Sequence, residues 1–243
     1  MSAIRQGKRG SISSVAAIAA FVALVGVFAA PAPALEAREG LVKIVVNETS
    51  GRFAIYRLVD VAKGKYEPFL FDQDVRTSFA TLSLDGRQAK LGDASDFRLV
   101  ASRTDTGALL EFRSSSCVVH ESIDFAKSEG AALADGVRVG FELENVSERD
   151  STIGLRFIAD TFLAEKSGIH FATDKAPRVA AETAITPDSG VSWISTPGER
   201  ATLMIQLSGA ATDRPDRVLL ANWKRLSDAT WSIDANPQRN FTL

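Results

Sequence analysis

Residues 136–168 read GVRVGFELENVSERDSTIGLRFIADTFLAEKSG, and their pattern decides the fold class. Val137, Val139, Phe141 and Leu143 alternate with Arg138, Gly140, Glu142 and Glu144. A period of two marks a strand with one buried and one wet face. Residues 145–151 (NVSERDS) are polar apart from Val146, after which Ile153, Leu155 and Phe157 resume the alternation against Thr152, Gly154 and Arg156. The expected unit is a hairpin of two neighbouring antiparallel strands that leaves the sheet at Asp160-Thr161.

The same signals recur on both sides of this stretch. Upstream, residues 41–47 and 52–59 read as a hairpin turned at Ser50-Gly51, residues 62–68 as a loop, and residues 69–71 as a short apolar strand. Residues 77–84 alternate with Phe79, Leu82 and Leu84 inward across a bulge, and Asp85-Gly86 turns them. Strands are expected at 97–101, 108–113 and 117–125, then downstream at 179–185, 191–195, 201–207, 218–222 and 230–233. No window after residue 34 sustains a helical apolar period over three turns. The predicted fold class is all-β, an antiparallel two-layer β-sandwich with supersandwich-like features.

Residues 1–34 read as a signal peptide and not as fold. Arg5, Lys8 and Arg9 precede an Ala-rich apolar run over residues 15–30, and Ala32-Pro33-Ala34 offers the small-x-small pattern of a cleavage site after Ala34. The run is shorter than the roughly 20 residues that span a bilayer, so no stable membrane insertion is expected after cleavage. Residues 35–243 read as a single β-sandwich domain. The final Asn240-Phe241-Thr242-Leu243 looks like the opening of a strand, which either closes the sheet or belongs to a domain that continues further.

The chain carries 28 Lys and Arg against 30 Asp and Glu, and removal of the leader would leave 25 against 30. A mildly acidic protein lacks the concentrated cations that draw nucleic acid or anionic lipid, so no nucleic-acid partner is expected. The single cysteine, Cys117, makes no internal disulfide and reads as a small buried residue on a strand.

Chemistry-bearing motifs are sparse. His120 and His170 stand fifty residues apart with one cysteine, which excludes a structural zinc centre. Neither a Gly-x-Ser-x-Gly turn nor a Gly-rich phosphate loop is present. Glu142 and Glu144 fall on the wet face of their strand. Asp72 and Asp74 share one loop and are the candidate metal ligands, with calcium as the ion such carboxylates take, although the Asp/Asn/Gly repeat of a dedicated calcium loop is missing. No other cofactor is called for. Trp193, Trp223 and Trp231 all fall in the last quarter of the chain. Indoles fill sandwich cores and also stack on sugar rings. Asp160, Trp223 and Trp231 are therefore the candidate ligand-binding residues.

Taken together, Phe141-x-Leu143-x-Asn145-x-Ser147, Gly154-Leu155-Arg156-Phe157, Asp160-Thr161, Pro215-Asp216-Arg217-Val218 and Ala221-Asn222-Trp223 resemble a group of uncharacterised exported β-sandwich domains of bacteria and archaea. Thr77-Ser78-Phe79 and Asp85-Gly86 fit its earlier half. The resemblance implies an extracytoplasmic module without assigned activity. A weaker similarity is to the aldose-epimerase-like supersandwich, whose chemistry rests on histidines and a glutamate. His170 falls later than that pattern places a histidine, and no catalytic role is carried onto it. The expectation is a non-enzymatic, periplasmic or secreted protein acting as a binding or structural module of the cell envelope, its partner an envelope protein or a glycan. The alternative is a carbohydrate-binding or carbohydrate-active protein.

Overall fold

The first sheet begins where the expected leader ends. A computed structural model of the chain describes residues 33–161, 163, 168–209 and 214–241. The expected signal peptide lies outside these residues except for Pro33 and Ala34. Strands β1 (Ala34–Glu39), β2 (Val42–Asn47), β3 (Phe53–Asp60) and β4 (Lys65–Pro68) pair antiparallel in that order. The β-branched row Val42, Ile44 and Val46 is fully buried, as its alternation with Lys43, Val45 and Asn47 requires. The expected loop over residues 62–68 is a turn through Gly64, but Lys65–Pro68 form β4 instead. Pro68 gives that stretch loop composition, but an edge strand tolerates proline because the missing N–H faces no partner. Phe69 and Leu70 are buried beyond it without forming a strand.

The chain continues through β5 (Phe79–Leu84), β6 (Arg87–Lys90), β7 (Arg98–Arg103), β8 (Gly107–Arg113), β9 (Cys117–Ala126), β10 (Gly136–Asn145) and β11 (Ile153–Ile158). Asp85 and Gly86, at φ 50° and 81°, form the two-residue turn between β5 and β6. A second sheet has the order β10-β9-β8-β7, and a third the order β11-β5-β6. The expected hairpin over residues 136–158 is therefore not formed: β10 pairs with β9, while β11 pairs with β5 from Ile153↔Leu84 to Ile158↔Phe79. Alternation fixed which face of each strand is buried but carried no information about which edge it joins. The loop between them is long enough to change sheets, and an Asx turn at Asn145 shapes it. There Asn145 Oδ1 accepts from the Ser147 N–H, and its Nδ2 donates to Arg149 O. Thr152 N–H then donates to Asp85 Oδ1 and fastens the start of β11 to the β5–β6 turn.

Inward rows from these three sheets share one interior. It holds Ile44, Phe53 and Ile55 from the first sheet, Leu110, Phe112, Val119 and Ile123 from the second, and Ala80 and Leu82 from the third. Val139, Phe141, Leu143, Leu155 and Phe157 pack against it, as their alternation predicts. Along β5 the pairing runs unbroken, without the expected bulge, and Phe79 is buried as expected, packed against Arg52 and Lys90 beside this cluster.

Shorter strands follow: β12 (Ala172–Thr173), β13 (Thr183–Ile185), β14 (Trp193–Pro197), β15 (Thr202–Gln206) and β16 (Val218–Leu220). They form a β12-β14-β15 sheet and a β13-β16 pair, around a second apolar cluster of Val179, Ile185, Val191, Ile194, Leu207 and Leu220. A six-residue helix, α1 (Trp223–Asp228), is capped by Asn222, and the expected strand over residues 230–233 is irregular. The fold is all-β and sandwich-like, built of antiparallel sheets. Among the described residues no helix is long and apolar enough to cross a membrane.

Candidate functional site

The expected ligand residues lie along the outer side of β5 and β11. Trp223 opens α1 and its Nε1–H donates to Thr77 O at 2.7 Å. Asp160, at the exit of β11, donates its N–H to the neighbouring Ser78 Oγ at 2.9 Å, and its carbonyl accepts from Phe71 N–H. Thr77 and Ser78 thus bring Asp160 and Trp223 onto one segment. Trp231 lies further along β11, against Gly154. Between them Arg156 donates from Nη1 to Ala229 O and from Nη2 to Leu226 O, which ties the carbonyl end of α1 to the sheet. Both indoles are half-buried.

Asp74 caps a 3-10 turn over Val75–Thr77 and forms a two-point pair with Arg76, Oδ1 to Nε and Oδ2 to Nη2, both 2.8 Å. The Arg76 hydrogen bonds hold its carboxyl down at about 2. Asp72 faces Tyr56, whose phenol is pushed up by burial and then by this carboxylate. Among the described residues, no three of His, Cys, Asp and Glu gather in a way that could hold a metal ion. Cys117 is fully buried and its thiol is pushed up by desolvation. His120 stands in the other row of β9, its Nδ1 3.8 Å from Glu111 Oε2.

A site the motifs did not reveal lies inside the sandwich. Glu121 belongs to the inward row Cys117, Val119, Glu121, Ile123 of β9 and is only 3 % exposed. Its carboxyl is pushed up to about 8 by desolvation, with Arg52 pulling the other way. Arg52, also 3 % exposed, enters from the turn before β3. There Gly51, at φ 69°, has no room for a side chain, since a Cβ would approach Phe112 Cζ to 2.6 Å. The guanidinium lies over the Phe79 ring, 5.3 Å from its centroid, and Lys90 Nζ reaches the same ring at 3.8 Å. Arg52 Nη2 is 3.0 Å from Asp93 Oδ1. Among the described residues neither Nη2 nor Nε has an aligned hydrogen-bond acceptor. Arg52 and Glu121 face a cavity of about 10 Å³, lined also by Ser50, Ser78 and Phe157. That space suits a single water-sized occupant. The sequence did carry a signal for it: an acid stands in the apolar row of CVVHESIDF.

The other distinctive surface is β15, the outer strand of its sheet among the described residues. Gly198 N–H bonds Ala201 O and Leu207 N–H bonds Ser192 O. With the β14–β15 register, these bonds direct the N–H and C=O of Thr202, Met204 and Gln206 away from β14. Met204 is 57 % and Ile205 37 % exposed, and residues 201–209 (ATLMIQLSG) carry no charge. Searches against family models, curated proteins and solved structures return no match to the chain.

Proposed function

We propose that the chain is a non-enzymatic exported β-sandwich protein serving as a binding module of the cell envelope, with an extended protein segment as its partner. The basic, apolar and small-residue start of the sequence supports export to the periplasm or exterior. The observation that carries the binding reading is the β15 edge. Sheet edges in stable proteins are normally blunted by lysine, proline or a bulge. This one presents outward backbone groups beside Met204 and Ile205, the features with which a sheet accepts an added strand. A protein segment is favoured over a glycan because Trp223 spends its indole N–H on Thr77 O and Trp231 is laid against Gly154.

The test is affinity capture from native envelope extract with the unaltered protein, with Met204→Lys and with Gln206→Pro. Lysine places a charge on the edge, and proline removes one outward N–H without touching the β14 ladder. A protein retained by the unaltered chain and lost from both variants is the expected result. Equal capture by all three, or retention of glycan alone, would overturn the reading.

A further inference from the structure

The bare edge of β15 is complementary to itself. Thr202, Met204 and Gln206 turn their N–H and C=O away from β14, and they are spaced evenly about Met204. An antiparallel neighbour sets outward residue against outward residue. When that neighbour is β15 of a second copy, related by a two-fold axis at Met204, Met204 falls opposite Met204 and Thr202 opposite Gln206. No other two-fold register lets all three outward residues of both strands exchange backbone bonds with one another. Charge does not oppose this pairing: residues 201–209 carry none, and Glu199 and Arg200 fall across from Gly209 and Ser208 of the second copy. Arg200 is moreover paired with Glu67 of β4 at 3.0 Å. The side chains match as well. On one face the exposed Met204 meets its equivalent, and on the other the exposed Ile205 meets Leu203, which already packs against the first core.

We propose that two copies of the chain pair antiparallel along β15, in the register centred on Met204, to give one sheet that runs from β12 of one copy to β12 of the other. The inference rests on the reading of β15 as a pairing edge and adds how that edge is regulated: the backbone groups that would take a partner strand are occupied while the copies are paired. Two-fold pairing of one patch with itself closes after two copies, which also answers the aggregation hazard of an uncharged edge. The contact is small. With five residues in β15, it falls well short of the roughly 1,200–2,000 Å² buried in stable complexes. The dimer is therefore weak and concentration-dependent, and a tighter-binding segment displaces the second copy.

The test is sedimentation equilibrium of the purified protein over a wide range of concentration, with variants that read the register. Thr202→Lys combined with Gln206→Glu sets opposite charges across from each other at both ends of the contact, whereas Thr202→Lys combined with Gln206→Lys sets like charges there. The two double variants alter the same positions, so the first controls for damage to the strand itself. The expected result is a monomer–dimer equilibrium for the unaltered protein, kept or tightened in the Lys/Glu variant and weakened at least about tenfold in the Lys/Lys variant. Met204→Lys, which sets lysine against lysine at the axis, should weaken it as well. A protein that stays monomeric at every concentration, a dimer that all variants retain, or equal shifts in the two double variants would each overturn the proposal. Monomeric protein that still captures an envelope segment through β15 would overturn self-pairing alone. A dimer that behaves as expected but captures no envelope protein would overturn the envelope reading alone.

Discussion

Trp231 occupies the space a side chain on Gly154 would need: a Cβ at that glycine would come within 3.1 Å of Trp231 Cζ2. The C-terminal segment therefore seals β11 by contact as well as through the two Arg156 hydrogen bonds. Gly154→Val should displace the indole and cost about 1–3 kcal/mol, as overpacking does. Gly154→Ala should cost less, because the ring edge can yield by a few tenths of an ångström. Denaturant melts followed by tryptophan emission check this. An unchanged melt for the valine variant would mean that Trp231 does not seal the strand.

The inward rows of β10 and β11 meet in the core although the strands belong to different sheets. Phe157 stacks on Phe53, with centroids 5.9 Å apart and planes at 7°, and lies 5.9 Å from Phe141. Phe157→Ala should cost about 3–5 kcal/mol through lost burial and a residual cavity. Glu142→Ala, on the exposed row, should stay within about 0.5 kcal/mol. Equal losses in urea melts would contradict the assigned faces.

Glu121 imposes a slope on stability against pH. Burial holds its carboxyl up at about 8 in the native state, against about 4.3 in an unfolded chain. The native protein keeps a proton that the unfolded chain has released across this interval. Its contribution is complete below the unfolded value and is lost as pH rises through the native one, an amount on the order of a few kcal/mol. Glu121→Gln should flatten the decline between about pH 4 and about pH 8. A variant that keeps the full slope would place its origin elsewhere.

Cys117 should not react with a disulfide reagent in the native protein. It has no exposed surface and burial raises its thiol, so little thiolate is present and none is reachable. One thiol should titrate promptly after addition of denaturant. Rapid native-state labelling would show that β9 opens readily.

The strands were legible because alternation reports burial locally, and Val42, Ile44, Val46, Leu143 and Leu155 behave as their period of two requires. The partner of β11 was not legible. Whether it joins β10 or β5 depends on edges made by segments far away in sequence. Composition misled only in part at β4: Gly64 does form the turn it signals, while Pro68 argued for a loop and an edge position tolerated it. The tryptophans were read as a candidate platform because an indole in sequence says nothing about the groups that approach it. The Arg52–Glu121 cavity required register from β3 and β9 together. Only its acidic half left a trace, as a polar residue in an otherwise apolar row.

Pairing β11 with β5 has a consequence for synthesis. Five strands, β6 to β10, intervene between the two partners, so a chain emerging from its N-terminal end displays β5 with one edge bare until residue 158 has appeared. Loop closure of that span is slow relative to the local hairpins that precede it. A nascent chain stalled or cleaved anywhere in residues 146–152 would expose Phe79, Ala80 and Leu82 beside unpaired backbone, the kind of edge to which other chains adhere. Supplying residues 149–241 as a separate fragment should rescue such a truncated product by strand complementation, because the closing strand and the helix that seals it both lie on the C-terminal side of the break.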